Sequence, residues 1–180
     1  MFNRHSESAA NSHGEDAISL LKKDHREVES LFASFAAAHD GRQKRGIALE
    51  ICKALEIHAK IEEKIFYPAA RNEVEDAEPM INEGFVEHEG IKRLVSQIPK
   101  LSTNDDFFDA RMKVLKEYVQ HHVKEEESST FPKLQNAGLD MNELGRAMLT
   151  LKEQLLARSR RSAATATSRD AEPAGMDRSS

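Results

Sequence analysis

The sequence predicts an all-α protein: an antiparallel up-down-up-down four-helix bundle followed by one additional C-terminal helix. Three observations lead there. Charged residues make up 32% of the 180-residue chain while Gly and Pro number only 8 and 5, a balance that suits amphipathic helices. No stretch sustains the alternation of a half-buried strand. Apolar residues instead step by three and four through four successive segments with short breaks between them, the pattern of buried stripes in a bundle.

Residues 1–14 are polar and read as a disordered N-terminal segment. From Glu15 a stripe of Ile18, Leu21, His25, Val28, Phe32 and Phe35 predicts the first helix. The segment HDGRQ at 39–43 breaks it, with Gly41 as its expected C-terminal cap. Ile47, Ile51, Ala54, His58, Glu62 and Ile65 form the second stripe, and Pro68 marks its last turns. The third runs through Ile81, Gly84, His88, Ile91, Val95 and Ile98 to Pro99. Ser-Thr-Asn-Asp at 102–105 offers N-caps for a fourth helix carrying Phe108, Met112, Leu115, Val119, His122 and Glu126. The bundle is therefore placed at 15–135.

After Gly138, a helix at 139–157 carries a narrow seam of Met141, Leu144, Met148, Leu151 and Leu155. That seam has to be buried, either as a brace on its own bundle or as the contact of a homodimer. Residues 158–180 lack apolar periodicity and read as a disordered tail.

Charge and composition exclude several function classes. Lys+Arg 26 against Asp+Glu 31 gives a net −5, which argues against a broad nucleic-acid footprint. The five Arg and three acids of 158–180 make the tail mildly basic and leave the remainder at −7. No apolar run is long enough for a membrane span, and the first residues hold no apolar segment of a secretory leader. One cysteine, Cys52, among eight histidines excludes an internal disulfide framework and suits a reducing cytoplasm. By base rate it is a small buried residue rather than a redox sensor.

Polar groups recur at the centre of the buried stripes: His25, then His58 with Glu62, then His88, then His122 with Glu126. Within each HxxxE pair the side chains share a helix face. Converging in an apolar core without partners, these six groups would cost several kcal/mol, and a shared metal removes that cost. An internal repeat sharpens the reading. KDHREVESL at 23–31 mirrors VEHEGIKRL at 86–94, and HAKIEEKIFYP at 58–68 mirrors HVKEEESSTFP at 122–132. The histidine spacing is 33 in one half and 34 in the other, which suits two metals on a pseudo-twofold axis. Imidazole and carboxylate without thiolate favour iron, with zinc or manganese as alternatives.

The pieces KDHREVESLF, HAKIEEKIFYP, EHEGIKRL and HHVKEEESSTFP resemble the hemerythrin-like (HHE cation-binding) family over about residues 15–135. The resemblance implies a four-helix bundle around a non-haem di-iron centre with two Fe2+/Fe3+ ions, oxo- or hydroxo-bridged in some states. It implies His25, His58, His88 and His122 as terminal ligands and Glu62 and Glu126 as bridges. Oxygen-carrying members have HxxxH on the third helix, where this chain has Gly84. The missing histidine leaves open metal positions, which favour reactive chemistry over simple reversible carriage.

Tyr118, one turn before His122, is a candidate hydrogen-bond donor or ligand, or else a packed core tyrosine. His121 faces away from His122 and is second to it, on the surface or beside a ligand. Glu63 and Glu127 are either solvated or hold a ligand imidazole. Tyr67-Pro68 and Phe131-Pro132 read as core-capping ends. The functional expectation is a cytoplasmic di-iron protein that binds or reacts with a small diatomic or peroxide ligand: dioxygen, peroxide or nitric oxide. If it is an enzyme, peroxide disproportionation is the simplest reaction. The alternatives are a redox or ligand sensor without turnover, and iron storage or donation, including repair of iron–sulfur centres. Neither nucleic acid nor membrane is an expected partner.

Overall fold

The computed structural model describes residues 15–170, all of whose regular structure is helical. Helices α1 (Ala17–Ala37) and α2 (Gly41–Ile61) form the first hairpin; α4 (Glu78–Gln97) and α5 (Phe108–Glu125) form the second. Helix α2 passes through a π-helical turn, Glu62–Phe66, into α3 (Tyr67–Glu73). Likewise α5 passes through Glu126–Thr130 into α6 (Phe131–Gln135), and α7 (Met141–Asp170) completes the chain. No described helix is long and apolar enough to cross a membrane.

Local chemistry sets several boundaries. Asp16 and Asp40 cap α1 and α2 by accepting the backbone N–H of Ser19 and Gln43, at 3.0 and 3.1 Å. Gly41 opens α2 rather than closing α1, whose end is formed by Ala38 donating to the Phe35 carbonyl. Ser102 and Asp105 shape the turn before α5 by accepting the N–H of Asn104 and Phe107, and neither is the cap residue itself.

The two π turns went unforeseen. In each, a backbone N–H reaches back five residues, Tyr67 to the Glu62 carbonyl and Phe131 to that of Glu126. Pro68 and Pro132 follow immediately and have no N–H to give, so the ordinary ladder is already broken there and an extra residue fits.

Two apolar layers fill the bundle. One holds Val28, Phe32, Ile51, Leu55, Ile91 and Leu115; the other holds Leu21, Ile61, Phe66, Ile81, Phe131 and Leu134. The four histidines fall in sequence between members of the two layers, so the polar groups are sealed from above and below.

The apolar seam of α7 is used within the chain. Met148 is fully buried in the second layer, and Met141, Leu144, Leu151 and Leu155 pack around it. The seam is therefore a brace and is not free to build a dimer. Gly145 lets α7 approach the start of α1: a Cβ there would lie 2.3 Å from the Glu15 carbonyl oxygen. Helix α7 also continues to Asp170, past the expected start of a tail at 158. Its Arg and Ala residues are strong helix formers, and no Gly or Pro intervenes. The expectations for residues 1–14 and 171–180 lie outside the described residues.

Candidate metal centre

Helices α1 and α2 bring His25 and His58 together with Nε2 atoms 3.2 Å apart; α4 and α5 do the same for His88 and His122 at 3.1 Å. Each HxxxE carboxylate leans across the pseudo-twofold axis. Glu62 Oε2 lies 3.2 Å from His58 Nε2 and 3.3 Å from His88 Nε2. Glu126 Oε2 lies 3.2 Å from His25 Nε2 and 3.5 Å from His122 Nε2. All six residues are buried.

This arrangement fits metal ions. Both oxygens of Glu62 and one of Glu126 are buried with no hydrogen-bond partner, a cost of several kcal/mol for an ionised group unless a cation compensates it. Two nitrogens bound at ~2.1 Å and a right angle on one ion lie about 3.0 Å apart, close to the spacing found here. Two donor sets form, with donor atoms within 4.8 Å of one another: His25, His58, Glu62 and Glu126 in one, Glu62, His88 and His122 in the other.

The outer nitrogens show why the inner ones are free to bind. His25 Nδ1 donates to Glu127 at 2.8 Å, His88 Nδ1 to Glu63 at 2.9 Å and His122 Nδ1 to Glu87 at 2.7 Å. A carboxylate on Nδ1 holds the proton there and turns the Nε2 lone pair inward. His58 Nδ1 has only the looser contact to Asp24, at 3.6 Å. The acids are steadied in turn: Lys152 of α7 pairs with Asp24, and Lys92 donates to Glu63 at 2.7 Å. The π turns make this possible, because the extra residue lets neighbouring Glu62 and Glu63 both face inward, and likewise Glu126 and Glu127.

Without a cation the centre is electrostatically divided. Burial and the charge of Glu126 push the Glu62 carboxyl well above its usual range. Burial also acts to raise Glu126, but His122 and His25 outweigh it and hold that carboxyl low. Burial lowers His88 to about 4, with His122 and His58 adding to the effect.

Sequence reasoning placed the six central residues together, and so does the fold. It left Glu63 and Glu127 between two readings; both hold an imidazole. His121 is exposed, with Nε2 3.3 Å from Glu87 Oε1. Tyr118 is 49% exposed and lies over Gly90 rather than in the core.

Tyr67 corrects the expectation of a mere core cap. Its hydroxyl donates to Glu126 Oε1 at 3.0 Å, its ring stacks on His88, and burial raises its phenol well above 10. A Cβ on Gly84 would meet that hydroxyl at 2.8 Å. Tyr67 thus fills the space beside Gly84, where the oxygen carriers' extra histidine would sit. Asp24 and Glu87 were also missed, although the repeat puts an acid immediately before each first histidine, in KDH and VEH.

The hemerythrin HHE cation-binding domain model matches residues 16–134. A "DNA nickase" of Nostoc sp. (strain PCC 7120 / SAG 25.82 / UTEX 2576) is 30% identical over 117 residues, covering 65% of this chain and 33% of that protein. This chain thus spans about a third of the length of that curated relative. Among solved structures, a hemerythrin HHE cation-binding domain-containing protein, the Rv2633c homolog from Mycobacterium kansasii, superposes with a TM-score of 0.68. It is 22% identical, and the match covers 78% of this chain and 86% of that one. The chain belongs to the hemerythrin HHE cation-binding domain family.

Proposed function

We propose that this protein holds two iron ions between the histidine pairs and there binds or reduces a small oxidant: dioxygen, peroxide or nitric oxide. The observation that carries this is the pair of buried, unpartnered carboxylates spanning two close imidazole pairs. His25, His58, His88 and His122 would be terminal ligands, and Glu62 and Glu126 would bridge. Zinc or manganese would suit the same donors less well. When bound, a pair of irons supplies two one-electron equivalents to a ligand at their open positions.

The chain's own residues do the rest. Glu62 and Glu126 offset the cationic charge, and the Nδ1 acceptors keep each ring in its binding tautomer. Tyr67, kept protonated by burial, holds a hydrogen-bonding proton beside the second donor set. A cavity of about 20 Å³ touches all four histidines and is closed by Val28, Leu55, Ile91 and Val119. It admits roughly one water-sized molecule, which supports a diatomic or peroxide ligand over an organic substrate.

Peroxide disproportionation is the simplest turnover for such a site. Nicking belongs to the Nostoc relative; the net −5 of this chain favours a role without nucleic acid. Optical titration of the iron-loaded protein with peroxide and with nitric oxide tests the proposal. Ligand-dependent absorption changes are expected, and a spectrum indifferent to both contradicts it.

A further inference from the structure

The pseudo-twofold relates two long surface grooves, and they differ where it matters. The groove between α1 and α5, about 460 Å³, has His25, Val119 and Val123 on its floor. The same three residues line the inner cavity against the four imidazoles. The partition between solvent and the centre is therefore one side chain thick. The related groove between α2 and α4, about 640 Å³, is lined by Cys52, Glu63 and Val95 among others and shares no residue with the inner cavity.

The repeat explains the difference in part. Val119 and Val123 correspond to Leu55 and Ala59, and on the α2/α4 side the longer Leu55 faces the cavity from within. Of the two valines, Val119 is buried and Val123 half-buried. A valine needs only a χ1 rotation to open a gap, a motion of the ps–ns range where the side chain is partly exposed.

The groove's charges add a preference. Arg26 is engaged by Glu127 and Glu29. Lys116 and Lys124 line the same groove and, among the described residues, have no ion-pair partner. Two free ammonium groups at the mouth attract anions in a chain that is acidic overall.

We propose that the α1/α5 groove is the entrance to the centre for anions of two or three heavy atoms, with Val119 and Val123 as its gate and Lys116 and Lys124 as its attracting mouth. The proposal rests on the metal-centre reading above. It assigns the groove a ligand class: small anions such as azide, nitrite and the deprotonated form of peroxide.

Azide association with the iron-loaded full-length protein, followed by stopped-flow absorbance, tests it alongside metal analysis of each variant. Val119→Ala and Val123→Ala should each speed association and dissociation by the same factor, about threefold or more, and leave affinity unchanged, because a gate alters passage and not the bound state. Val123→Phe should slow both rates. The double variant Lys116→Gln/Lys124→Gln should slow azide association about threefold at low salt, the difference vanishing near ~0.5 M salt, while neutral nitric oxide is unaffected. Lys53→Gln in the α2/α4 groove should change nothing. Wild-type rates in both alanine variants at full metal content overturn the gate. An unaltered azide rate in the double lysine variant overturns the anion preference. A wild-type protein that takes up no metal overturns the centre itself, and the entrance with it.

Discussion

Tyr67 joins the two halves of the site by bonding Glu126 from the opposite hairpin. Tyr67→Phe removes one buried bond to a carboxylate, a loss of about 1–2 kcal/mol. It should also alter the spectrum of the metal-loaded protein while leaving metal content intact; an unchanged spectrum would reduce Tyr67 to packing. Glu62 leads to a prediction of opposite sign. Its raised carboxyl favours the neutral form in the fold, so its contribution to apo-protein stability is full below the unfolded value near 4.5 and is lost as pH rises. Glu62→Gln should therefore raise the apo-protein's melting temperature at pH 7 by about 2–4 °C or more, with little advantage near pH 4.5, and should abolish metal binding. Thermal melts of both apo-proteins across that range would decide it. Cys52, buried near Glu56, has its thiol pushed up to about 12, so alkylation by iodoacetamide at pH 8 should be slow in the folded chain and fast in urea.

At the scale of elements, α7 lies outside the stretch matched by the family model yet reaches the centre through Lys152 and Asp24. Asp24 lies in turn beside His58. Lys152→Met leaves Asp24 buried without its cation, a loss of about 2–3 kcal/mol. Adding Asp24→Asn should recover much of it, because the uncompensated charge is gone. Denaturant midpoints of the two variants measure this, and equal destabilisation would remove Lys152 from the account. The π turns are the other decisive elements. Their five-residue backbone spans turn two successive glutamates inward where an unbroken α-helix would send the second away.

Across the whole molecule, the helical bundle and its six central residues were legible because both rest on periodicity. His25, His58, His88 and His122 sit on apolar stripes, and a polar residue on such a stripe has nowhere to go but the core. The repeat also fixed which of His121 and His122 turns inward. What periodicity could not show was whatever breaks it. The π turns shift the register by one residue, so Glu63 and Glu127 stayed ambiguous and Tyr67 was taken for a core end. Asp24 and Glu87 were missed because an acid next to a stripe residue ordinarily faces water. The reach of α7 to Asp170 was hidden by a tail without apolar residues, where Ala and Arg propensity alone continues the helix.

Metal content of the purified full-length protein tests the central claim most directly, read by elemental analysis on wild type and His58→Ala together. Two irons per chain are expected in wild type, with a marked loss in the variant, since His58 is half of one imidazole pair. A wild-type protein that purifies without metal, takes up none on reconstitution with ferrous iron, and matches His58→Ala in stability would contradict the account.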